Sequence, residues 1–170
     1  MLKNTKYIWL AASVMISTSI QASTKANVEL EDMPRLASHY NQKIDAALLA
    51  LNAHKYEKAF EKLSNTARWG HKESQFYLST MYLQGQGTSQ DIPKAWIWLN
   101  LALEQRNTDW VIMKRKLSEL IPNDVQQALE KDVEVYRNKY GVDARGLNCR
   151  ATKVVGSNRL VERCEQKWVN

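Results

Sequence analysis

The sequence predicts an all-α fold: a short α/α solenoid of helical hairpins, with a small disulfide-linked β-hairpin at the C-terminus. Three observations carry this. Apolar residues recur at helical spacing through most of the chain. Two stretches come into register when the chain is slid against itself by 36 residues. After Gly141 the pattern changes, and Cys149 and Cys164 flank a Gly156-Ser157 turn.

The N-terminus reads as a leader. Lys3 and Lys6 precede an apolar run from Tyr7 to Ile20, and the small residues Ala22 and Ser23 follow. A basic start, an apolar stretch and a small-residue exit describe a secretory signal peptide over residues 1–22. The apolar run is shorter than the roughly 17 to 25 residues that span a bilayer as a helix. The other readings of this segment are an uncleaved anchor or a core helix. Nothing later in the chain reaches transmembrane length, so no transmembrane segment is expected in the mature chain. Cleavage after Ala22 leaves 148 of the 170 residues, enough for one compact domain. Loss of Lys3 and Lys6 lowers the formal charge from +6 to +4. That balance lacks the dense basic stripe and interleaved aromatics of a nucleic-acid binder, so no nucleic-acid partner is expected.

The repeat occupies the middle of the chain. At the 36-residue offset Tyr56, Lys58, Ala59, Ala67 and Gly70 fall on Ile92, Lys94, Ala95, Leu103 and Arg106. Tyr56, Ala59, Phe60, Leu63 and Ala67 form one helix face, and Ile92, Ala95, Trp96, Leu99, Ala102 and Leu103 form its counterpart. A first helix precedes each: Leu36, Tyr40, Ile44, Leu48 and Leu51 in one unit, Ser74, Leu78 and Tyr82 in the other. Gly85 and Gly87 end the helix carrying Tyr82, where positive φ is cheap only for glycine. Asp91 is placed to cap the next helix, with Pro93 in its first turn. No Lys-Ser or Lys-Thr follows the glycines, so they are no phosphate loop.

The run Ser74–Arg106, SQFYLSTMYLQGQGTSQDIPKAWIWLNLALEQR, resembles the Sel-one-like repeat, a relative of the tetratricopeptide repeat. Leu78, Met81, Tyr82, Gly85, Gly87, Asp91, Lys94, Ala95, Trp98 and Ala102 carry the resemblance. Ser79 and Arg106 stand where the family usually has Gly. A degenerate unit at about 38–71 matches in its second helix alone. The resemblance implies a helical domain over 23–141 with an adaptor or assembly role, and the leader implies export to a bacterial periplasm or secretion. Such a module binds a peptide or protein partner through its repeats and is no enzyme. Some secreted relatives are associated with β-lactam or peptidoglycan chemistry. Those are typically cysteine-rich along their repeats, and this chain has no Cys in its helical part.

Two hairpins cannot bury their apolar faces alone, so capping helices are expected over 108–141. Trp110, Met113, Leu117, Leu120 and Ile121 line one, and Val125, Ala128, Leu129, Val133, Tyr136 and Tyr140 the other. Pro122-Asn123-Asp124 separates them.

The segment 142–170 is expected to form the cysteine hairpin. If Val155 faces Asn158, counting outward sets Cys149 opposite Cys164, within disulfide reach. An exported chain meets an oxidising compartment, where such a pair closes. The tail also resembles, more weakly, a cysteine-paired ending of other short exported bacterial proteins. The same count sets Arg150 opposite Arg163, with Arg159 nearby. Like charges paired across strands are unfavourable unless an anion or acidic group relieves them. The face is therefore either a solvated basic edge or a binder of anionic envelope components.

Candidate chemistry is sparse. His39, His54 and His71 fall in different elements without metal-ligand spacing, and no serine sits in a nucleophile elbow, so no catalytic residue, metal or cofactor is expected. Trp69, Trp96 and Trp98 read as core. Tyr77 and Gln84 lie off the Leu78/Tyr82 stripe on an inner helix, and the offset sets Asn41 beside Tyr77. Asn41, Tyr77, Gln84, Arg150, Arg159 and Arg163 are thus the candidate partner-binding residues.

Overall fold

A computed structural model describes residues 32–156, 158 and 160–168. The proposed leader and Arg159 lie outside the described residues. Six helices are followed by two strands: α1 (Ala37–Asn52), α2 (Tyr56–Arg68), α3 (Lys72–Gln84), α4 (Ile92–Ala102), α5 (Thr108–Ser118), α6 (Asn123–Tyr140), β1 (Leu147–Lys153) and β2 (Leu160–Gln166). α1/α2 and α3/α4 are antiparallel hairpins stacked through α2 against α3, and α6 closes the stack against α4.

The core runs along this stack. Ala47, Ala59, Ala67, Ala95 and Ala102 are fully buried and let helices approach closely. Leu63, Leu78, Met81, Leu99 and Leu101 fill the space between them, with Trp96 and Trp98 beside them. The edge-on pairs Phe60–Tyr82 (5.3 Å) and Trp98–Tyr136 (5.3 Å) tie first unit to second and second unit to cap.

The repeat turn forms as its residues dictate. Gly85 (φ 68°) is the left-handed C-cap of α3, and its N–H donates to the Met81 carbonyl. Gly87 (φ 66°) serves packing as well: a Cβ there would lie 2.2 Å from the Tyr56 carbonyl oxygen at the start of α2. The Asp91 carboxylate accepts from the Lys94 N–H at 2.9 Å and so caps α4.

Two helices differ from the expected stripes. α1 buries Tyr40, Ile44, Ala47 and Ala50, whereas Leu36 precedes the helix and is exposed. α5 stops at Ser118, so Leu120 lies outside the helix and is 69% exposed, while Ile121 tucks into the core. The cause is Gln126, whose amide nitrogen donates to the carbonyls of Ser118 (2.9 Å) and Ile121 (2.7 Å) and satisfies the α5–α6 turn.

The hairpin has the register obtained by counting: Cys149 faces Cys164 and Arg150 faces Arg163. The cysteines are bonded to each other. Among the described residues, no helix is long and apolar enough to cross a membrane.

Candidate functional site

The hairpin does not stand free of the helices. β2 crosses the edge of the stack where second helices end and first helices begin. Glu162 accepts from the Arg106 N–H (3.0 Å), and Gln105 Oε1 accepts from the Cys164 N–H (3.0 Å). The Gln166 side chain donates to the Trp69 carbonyl (3.0 Å). Beyond the strand, Trp168 meets Tyr40 edge-on at 5.3 Å, in a small cluster with Trp69.

Between this strand and the helices lies an open groove of about 1000 Å³. α1 contributes Tyr40, Asn41, Ile44 and Asp45; α3 contributes Glu73, Phe76 and Tyr77; Trp110 of α5 continues the wall. These are the first helices of successive hairpins, whose period puts equivalent faces side by side. The opposite wall is the hairpin, including Arg150, Val161, Arg163 and Gln166. Phe76 and Trp110 stack at 5.0 Å with planes 12° apart, which makes a flat aromatic surface in the helical wall. Burial, and after it the neighbouring Glu73 carboxylate, raises the pKa of the Tyr77 hydroxyl.

The groove brings Asn41, Tyr77, Arg150 and Arg163 together. Gln84 is exposed at the far end of α3 and does not line it. Arg150 pairs with Glu165 across the strands at 3.1 Å, so an internal carboxylate relieves the facing arginines. His71 has a local role: its ring accepts from the Ser74 N–H at 3.2 Å as the N-cap of α3. Burial, followed by the charge of Lys72, pulls its pKa down to about 4. Among the described residues no group of three His, Cys, Asp or Glu is placed to hold a metal ion.

Under the groove lies a polar cluster that sequence reasoning missed. Lys72 is 1% exposed, and its ammonium donates to Gln75 (3.1 Å), the Leu101 carbonyl (3.1 Å) and Glu104 (2.6 Å). Gln75 donates in turn to the carbonyls of Ala67 and Tyr140, and Glu104 accepts from the Val142 N–H. The cluster joins α2, α3, α4 and the end of α6. A lysine beside the start of a helix reads as a solvated charge, and nothing local marks it otherwise. Asp45, Phe76 and Trp110 were also missed, because only the docked hairpin makes their surface a groove.

No protein-family model matches the chain, and no curated protein matches it. Among solved structures, the chain is similar to c5321, a protective antigen present in uropathogenic Escherichia coli strains that displays an SLR fold. The TM-score is 0.55 at 18% identity, and the likeness covers 68% of this chain and 27% of the antigen's. This chain therefore spans about a quarter of that protein. With the helical hairpins and the paired cysteines, the likeness establishes that this chain has the Sel-one-like repeat (SLR) fold, as a short α/α solenoid carrying a disulfide-linked β-hairpin.

Proposed function

We propose that this protein is an exported adaptor that holds an extended segment of a protein partner in the groove between its first helices and its C-terminal hairpin. The observation that carries this reading is the groove itself. It is open and mixed in character, with aromatic and amide side chains on one wall and a strand on the other. An SLR fold supports protein–protein interaction as the general role, and the inner helices of solenoids supply the binding surface. Export rests on the leader pattern at residues 1–22, and the Cys149–Cys164 disulfide suits an oxidising compartment.

Affinity capture by the exported chain from its own envelope, beside Tyr77→Ala and Asn41→Arg variants, tests the reading. The expected result is a reproducible protein partner that both variants lose while their thermal stability stays close to that of the parent. Turnover of an envelope substrate by the purified chain, with no protein captured, would favour an enzyme instead.

A further inference from the structure

The groove has an electrical asymmetry that the docked hairpin creates. On the helical wall Asp45 and Glu73 are both exposed, and among the described residues neither forms an ion pair. The cations beside Glu73 in sequence do not answer it. Lys72 is buried and committed to Glu104, and His71 is neutral at pH 7. On the hairpin wall the two carboxylates are already paired, Glu162 with Arg106 and Glu165 with Arg150. Arg163 lines that wall with no ion pair among the described residues. Uncompensated negative charge therefore lies on the helices, and uncompensated positive charge on the hairpin.

The aromatic surface sits on the negative wall. Phe76 and Tyr77 follow Glu73 on α3, and Tyr77 meets Phe76 edge-on at 5.6 Å. Carboxylates beside aromatic rings suit a lysine or arginine side chain, whose stem packs on the ring while its head meets the carboxylate. An acidic side chain at the same place would meet two carboxylates that have no ion pair, one of them accepting from the Tyr77 hydroxyl.

Resting on the groove reading above, we infer that the partner segment is a basic one: an extended peptide whose Lys or Arg side chains seat on Asp45, Glu73 and the Phe76/Tyr77 surface. The charge of the site, rather than that of the chain, selects it. The chain as a whole is basic, so this preference runs against the average electrostatics of the molecule.

The test is selection of a displayed random dodecapeptide library on the oxidised chain, followed by fluorescence-polarisation titration of the selected peptides. The expected result is enrichment of Lys and Arg, with binding about tenfold weaker to an Asp45→Asn/Glu73→Gln double variant and a smaller salt dependence. Both side chains are exposed, so that variant keeps the fold. Enrichment of neutral or acidic peptides that Tyr77→Ala no longer binds would overturn the basic preference and leave the groove reading standing. Basic peptides bound equally well by the double variant would also overturn it. A library that yields no binder would sink both readings.

Discussion

Lys72 Nζ lies 2.6 Å from Glu104 Oε2, a charge pair that joins the start of α3 to the end of the second hairpin. Burial lowers the lysine's pKa, and Glu104 acts against that. All three ammonium donors have acceptors, which is the condition under which a buried charge is tolerated. Removing the lysine takes its ammonium from Glu104 and the Leu101 carbonyl, and leaves Glu104 with Arg137 (3.5 Å) and the Val142 N–H (3.0 Å). Lys72→Ala is expected to cost about 2–5 kcal/mol in urea unfolding, because it opens a cavity and takes one of two cations from Glu104. Lys72→Met, which keeps the packing volume, should cost clearly less.

Gly87 faces the Tyr56 carbonyl so closely that no side chain fits. Gly87→Ala should destabilise by more than about 2 kcal/mol, combining backbone strain with displacement of α2 from α3. Gly146 is the control: it also has positive φ (61°), but nothing lies within 4 Å of a Cβ there. Gly146→Ala should cost only the left-handed penalty of about 1–2 kcal/mol. Equal thermal shifts for the two variants would contradict the packing role.

His71 gives the fold a pH dependence. Its pKa is about 4 when folded, against 6.5 ordinarily. Between those values the unfolded chain binds the extra proton, so this contribution is full above pH 6.5. It is lost as pH falls through 4, at up to about 1.4 kcal/mol per unit. His71→Asn keeps an N-cap acceptor without a titrating ring, and should flatten the fall in urea midpoint between pH 7 and pH 4.5.

The Cys149–Cys164 bridge closes a loop with a sequence separation of 15. In the chain-entropy model such a closure is worth about 3 kcal/mol. Replacing both cysteines with serine should open the hairpin before the helices. Amide exchange would show this as lost protection across β1 and β2, with the α2–α4 core unchanged.

Much of this fold is legible in order along the chain, and the illegible parts share a cause. The Gly85/Gly87 turn and the Asp91 cap are local chemistry. The cysteine register follows from the two-residue period of strands once the turn is placed. The 36-residue offset brought Asn41 and Tyr77 to one surface because repeats stack in parallel. The contacts of Gln105 with Cys164 and of Gln166 with Trp69 span 59 and 97 residues, and no local pattern encodes them. Without them the groove has one wall, and Asp45, Phe76 and Trp110 are ordinary surface residues. Lys72 was illegible for a related reason, since Leu101 and Glu104 reach it only across the hairpin. Apolar spacing alone carries the expected helix through Leu120 and Ile121, whereas α5 stops at Ser118 and Gln126 satisfies the carbonyls of Ser118 and Ile121.

The central claim is that the groove, and no other surface, receives the partner. A photo-crosslinking amino acid placed singly at Asn41, Tyr77 and Val161 in the groove, and at Leu49, Val125 and Val135 outside it, tests this in the intact envelope. All six variants are to be exported and oxidised to the same level. The account predicts one shared protein adduct from the three groove positions and none from the others. Adducts formed equally at Leu49, Val125 or Val135, or none at Tyr77, would contradict it.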